Sequence, residues 1–157
     1  MPTRRIRTAS GASSTRARGR ASVVVGGQSV PVGTRVVGRA VRAVLAGERR
    51  QLTVSISFVG PARIRGLNRA WKGRDRLTDV LAFTLGPPGR PPIGDVYVCP
   101  AVARDQARAL GIPVREELLR LVVHGTLHVL GYDHPAGPGR TRSIMWRKQE
   151  RYLGCVV

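Results

Sequence analysis

The apolar positions of this chain switch period several times between residues 22 and 153. Leu52, Val54, Ile56 and Phe58 alternate with Thr53, Ser55 and Ser57, which predicts a strand over 52–58 with one buried face. Shorter apolar runs predict strands at 23–25, 80–85 and 93–98, the last two joined by the loop GPPGRPP at 86–92. Between them the period lengthens. Val37, Ala40, Val41, Val44 and Leu45 form one stripe of a helix over 31–46, and Pro61 opens a second whose apolar side carries Ile64, Leu67 and Trp71. Ala103, Ala107 and Leu110 mark a helix from about residue 100, and residues 141–153 a last one. Pro113 starts a helix with Glu116 and Glu117 in its first turn, where carboxylates suit the helix dipole. That helix is apolar on most sides, so it belongs in the core. Strands and helices are mixed rather than regularly alternating. The fold class is therefore α+β, helices packed on a small mixed four-stranded sheet.

Length adds one domain, over 22–157, preceded by a segment 1–21 with six arginines and no acid. Such a segment cannot build a core and is expected to be a disordered basic tail. It also has the Arg- and Ser-rich, acid-poor character of an organellar transit peptide, the alternative to a cytoplasmic location, and it lacks a secretory apolar region. No apolar stretch is long enough to span a membrane, so no membrane partner is expected. The two cysteines, Cys99 and Cys155, make a poor disulfide framework; a reducing compartment and small buried apolar roles are the simpler reading.

Charge changes the picture more. Lys plus Arg total 27 against 9 Asp plus Glu, a net +18, and only Lys72 and Lys148 are lysines. Arginine bias accompanies GC-rich coding, but it does not explain so few acids. A chain this positive attracts polyanions, nucleic acid first among them. Arg35, Arg39 and Arg42 share one helix face, a solvated face or an RNA-contacting one.

The chemistry is concentrated in HGTLHVLGYDH, residues 124–134, which holds every histidine of the chain. His124 and His128 are four apart and share a helix face, about 6 Å from one another. Gly131 can end the helix in the left-handed conformation and let the chain bring His134 back as a third ligand. Three imidazoles leave one position open on a divalent metal, the mark of a catalytic rather than a closed structural site. The spacing is that of metzincin zinc proteases, except that their glutamate after the first histidine is Gly125 here. Losing that general base argues against peptide hydrolysis. Three neutral ligands leave the full 2+ charge of zinc to face a phosphodiester, which favours a nuclease. Asp133 and Asp79 are the carboxylates available to orient a ligand or accept a proton; Asp133 can equally be a loop residue bonding its own turn.

HGTLHVLGYDH closely resembles the signature of the YbeY family of rRNA-maturation endoribonucleases. LNRAWKGRDRLTDVLAF at 67–83 is similar to its LNxxYRxKDxPTDVLSF block, and IGDVYVCP at 93–100 to its GDIxI block. The resemblance spans roughly 30–154. It implies a zinc-dependent, single-strand-specific endoribonuclease acting in 16S rRNA 3′-end processing and ribosome quality control. The implied fold has a zincin-like metal helix buried against the sheet, with Zn2+ held by His124, His128 and His134. Implied partners are ribosomal RNA, the small ribosomal subunit and an Era-type GTPase. A functional arginine of the family falls on Lys72, which keeps the charge without the two-pronged guanidinium grip. Arg69 and Arg74 are neighbours able to compensate, and with Lys72 they are the expected RNA contacts. Lys72 and Asp133 are the expected catalytic side chains. The serine of TDVLSF is Ala82, and the family's acidic stretch after the third histidine is PAGPGR. Two rival readings remain: a metalloprotease lacking the usual base, and a non-catalytic assembly factor stabilised by zinc.

Overall fold

The strictly alternating segment becomes an interior strand of a four-stranded sheet in the computed structural model, which describes residues 21–27 and 29–157. The Arg-rich segment 1–21 lies outside this range apart from Ala21. In chain order the elements are β1 (Ser22–Gly27), α1 (Thr34–Gly47), β2 (Thr53–Phe58), α2 (Pro61–Lys72), β3 (Val80–Leu85), β4 (Ile93–Val98), α3 (Pro100–Leu110), α4 (Val114–Val129) and α5 (Ile144–Leu153). The sheet order is β1-β2-β4-β3. β1 and β4 both run parallel to β2, whereas β3 is antiparallel to β4, so GPPGRPP joins neighbouring antiparallel strands at the sheet edge. The sheet is mixed and the helices cover it, as the patterning predicts.

Two helix starts fall later than the periodicity suggests. α1 begins at Thr34 because Gly33 still has an extended ψ of 133°. α5 begins at Ile144, after a 3-10 turn at Arg140–Arg142. Ser143 caps it, its Oγ accepting from Trp146 N at 3.1 Å.

One sheet face carries Val54, Ile56, Phe58, Val96 and Val98 into the main core with α1, α4 and α5. The other face holds a smaller cluster of Ile64, Leu81 and Cys99, with Phe83 and Tyr97 packed on it. Trp71 departs from its expected place on the apolar side of α2. It is 59% exposed, because β3 is the last strand and nothing lies beyond it; its ring rests 5.4 Å from Phe83. Cys99 is buried and Cys155 exposed, so only the first takes the small apolar role expected of both.

α4 is buried along most of its length and lies across β4. The two interlock through a reciprocal pair. A Cβ on Gly125 of α4 would collide with Val96 Cγ1 and come within 3.2 Å of Val80 Cγ2. A Cβ on Gly94 of β4 would collide with Val129 Cγ1. Four residues of helix and two of strand both advance roughly 6 Å, so the two contacts fit in register.

Candidate metal centre

α4 delivers two of the three histidines. Its C-terminus is closed by Gly131 at φ +92°, with Tyr132 N donating to Leu127 O at 3.1 Å and Gly131 N to His128 O at 2.9 Å. These are the two bonds of a Schellman motif, which satisfy the last helix carbonyls and reverse the chain. Asp133 Oδ1 then accepts from His134 N at 2.8 Å, a local turn that presents the third histidine to the first two.

The three rings converge. His124 Nε2 lies 3.1 Å from His128 Nε2 and 3.3 Å from His134 Nε2, and one nitrogen from each ring falls within 4.8 Å of the others. The edge of a zinc–imidazole tetrahedron is about 3.3 Å. The proton positions support a cation there. Gln149 Nε2 donates to Glu150 Oε1 at 3.0 Å, which turns Gln149 Oε1 toward His124 Nδ1, 2.7 Å away. A carbonyl only accepts, so His124 carries its proton on Nδ1. Pro135 O, 3.1 Å from His134 Nδ1, fixes the same tautomer on that ring. The 3.3 Å approach of the two Nε2 atoms is therefore lone pair against lone pair. A divalent ion turns that repulsion into ligation, and metal-bound histidines commonly donate their other N–H in this way. Burial pushes the His124 imidazole down to about 4, despite the opposing bond to Gln149; burial also lowers His128, helped by the charge of His134. Both are neutral bases at pH 7, the form that binds metal.

The histidines open into a cavity of about 420 Å³ whose wall includes Lys72, Arg76 and Arg140, with Thr78, Asp79 and Ala82. Lys72 thus stands where the sequence expectation puts it. Arg69 and Arg74 do not line this cavity, and neither does Asp133, whose carboxylate is taken up by the His134 backbone N–H. Asp79 does line it, with Oδ1 accepting from Val80 N at 2.8 Å and Oδ2 from Gln106 at 2.9 Å. Arg76, Arg140 and Gln149 escaped the sequence reading. Gln149 lies 25 residues from the histidine it orients, and no local pattern announces that pairing.

A second polar cluster anchors the returning loop. Glu48, just past α1, accepts from Tyr132, from Tyr152 of α5 and, at 2.7 Å, from Lys148. Its side chain is only 8% exposed. Burial alone would raise this carboxyl, but the three donors outweigh it and bring the pKa from 4.5 down to about 2. Tyr132 sits two residues before His134, so this cluster ties the third histidine to α1 and α5.

A family model described as Endoribonuclease YbeY matches residues 32–156. The Endoribonuclease YbeY of Pelotomaculum thermopropionicum is 40% identical over 131 residues, covering 77% of this chain and 84% of the relative. That of Persephonella marina is 42% identical over 87 residues, covering 52% of this chain and 56% of the relative. The matched region is about half the length of several such relatives. The solution structure of a Thermotoga maritima protein matches with a TM-score of 0.60 at 30% identity, covering 85% of this chain and 88% of that one.

Proposed function

The chain belongs to the YbeY endoribonuclease family, and from that premise we propose that it is a zinc-dependent endoribonuclease cutting single-stranded RNA in ribosomal RNA maturation. The observation that carries the reading is the convergence of three neutral imidazoles on a cavity walled by Lys72, Arg76 and Arg140. His124, His128 and His134 would hold the ion, which when bound supplies Lewis acidity toward a phosphodiester and an acidified water. The chain's own side chains do the rest. Lys72, Arg76 and Arg140 neutralise and position phosphates of the strand, with Arg69 and Arg74 outside the cavity extending the basic track. Gln149 and Pro135 O hold the ring protons of His124 and His134 on Nδ1. Asp133 positions His134 through its backbone. Asp79, inside the cavity, is a better placed proton acceptor than Asp133. Family likeness extends the proposal to 16S rRNA 3′-end processing and ribosome quality control, with the small subunit and an Era-type GTPase as partners.

The test is cleavage of a labelled single-stranded RNA by protein of measured metal content, beside His128→Ala purified in parallel. Chelator and substitution should each abolish both the bound metal and the cleavage. Full metal occupancy and full cleavage by His128→Ala would refute the site. Product ends distinguish attack by the 2′-OH, which leaves a cyclic phosphate, from attack by water.

The protease reading fits less well. Position 125 has no room for a glutamate side chain, since even its Cβ would enter Val96. Casein cleavage by the metal-loaded protein, with RNA left intact, would restore it. A non-catalytic assembly factor would instead bind zinc, lose its fold on His124→Ala and cut neither substrate.

A further inference from the structure

His124 is a partition. One edge of its ring faces the three-histidine cavity; the other, bonded to Gln149, borders a second cavity of about 300 Å³. Asp79 and Arg140 also line both spaces, so the two are neighbours. The second cavity is of ligand size and mostly apolar in its walls, with Leu110, Leu121 and Trp146. Its polar side is unusual. Gln106 Nε2 donates to Asp79 Oδ2, which fixes the amide and leaves Oε1 as the free end. That oxygen is buried and has no hydrogen-bond partner among the described residues. Arg120 spends its two Nη groups on Glu117 and Glu116. Its Nε is buried as well, 3.5 Å from Glu150 Oε1 but without a hydrogen bond. Buried polar atoms are rarely left unpaired. Here one acceptor and one donor belong to side chains lining the same cavity. Beside them the Arg140 guanidinium lies over the half-buried Trp146 ring, 5.8 Å from its centroid.

We propose that this second cavity is a nucleobase subsite, taking one base of the strand whose adjacent phosphate enters the three-histidine cavity. The inference deepens the RNA-cleaving reading and rests on it. Unstacked RNA bases are held by stacking on aromatic rings or guanidinium planes and by hydrogen bonds to their edges. Trp146 supplies the stacking face, Gln106 Oε1 accepts and Arg120 Nε donates. Arg140, common to both cavities, spans base and phosphate. The carboxylates of Asp79 and Glu117 make the lining richer in acceptors than donors. That favours guanine, whose pairing edge offers two donor groups beside one acceptor, over uracil, which offers one donor between two acceptors.

The chain has two tryptophans, so Trp71→Phe leaves Trp146 as the only one. Titrating that variant with guanosine monophosphate should change its fluorescence saturably. Uridine monophosphate should bind about tenfold more weakly, and ribose 5-phosphate should give no change. Adding Gln106→Leu or Arg120→Lys should each weaken guanosine monophosphate roughly fivefold or more, with thermal melts verifying the fold. Equal response to ribose 5-phosphate, no saturable response to guanosine monophosphate, or undiminished binding by both folded variants would each overturn the proposal. A parallel assay on single-stranded RNA separates the two levels. Metal-dependent cleavage without nucleotide binding sinks only the base subsite, whereas absence of cleavage and of RNA binding sinks the underlying reading.

Discussion

Replacing Gly125 with alanine tests the seat of α4 on the sheet. In an open helix this change would stabilise the protein by about 1 kcal/mol, because glycine is the poorer helix former. At this position the new Cβ meets Val96 Cγ1 in full collision and Val80 Cγ2 at 3.2 Å. Val96 is 1% exposed and belongs to a central strand, so it cannot swing away. Overpacking of this kind costs roughly 1–3 kcal/mol. The net expectation is a loss of about 1–2 kcal/mol once the propensity gain is subtracted. Val96→Ala alone should cost about 2 kcal/mol through its cavity. The double variant should be less damaged than the two losses combined, with a coupling of roughly 1–3 kcal/mol, since each substitution accommodates the other. Urea unfolding followed by far-ultraviolet circular dichroism, in chelator to remove metal linkage, measures all four proteins. A Gly125→Ala protein more stable than the parent, or strictly additive substitutions, would refute the interlock.

Three further outcomes follow from the site and its supports. His124→Ala, His128→Ala and His134→Ala should each lose stoichiometric zinc, measured by elemental analysis after dialysis, and retention of one equivalent by any of them would remove that residue from the ligand set. Gly131→Ala should cost about 1 kcal/mol or more by chemical denaturation: nothing lies within 4 Å of the added Cβ, so the whole effect is backbone strain at φ +92°, and a neutral result would contradict the cap. The Glu48 carboxyl is depressed from 4.5 to about 2, so its contribution is fully present above pH 4.5 and is lost as pH falls through 2. A depression of that size corresponds to roughly 3 kcal/mol, and Glu48→Gln should flatten the stability–pH curve of the parent across that window; parallel curves would disprove the linkage.

The parts of this molecule that were legible in its sequence are those governed by neighbours along the chain. The alternation of Leu52 to Phe58 reports a half-buried strand because period-2 faces are local. His124, His128, Gly131 and His134 report a helix, its cap and a returning ligand because all the geometry lies within eleven residues. Trp71 misleads, since its position on α2 is apolar by period but overhangs the edge strand, a fact of sheet order alone. Gln149, Arg140 and Arg76 reach the cavities only once α5 and the segment before β3 have docked. Gly125 reads in sequence as a missing base. In the fold it is the space that Val96 requires.

The Glu48 cluster has a consequence in time as well as in space. His124 and His128 become neighbours as soon as one helix forms, within about a microsecond. His134 is held near them through Tyr132, whose carboxylate partner is 84 residues away and is shared with side chains 100 and 104 residues off. Contacts of that separation close late in folding. The three-coordinate site is therefore the last thing the chain completes, and zinc supplied during refolding should slow unfolding more than it accelerates folding.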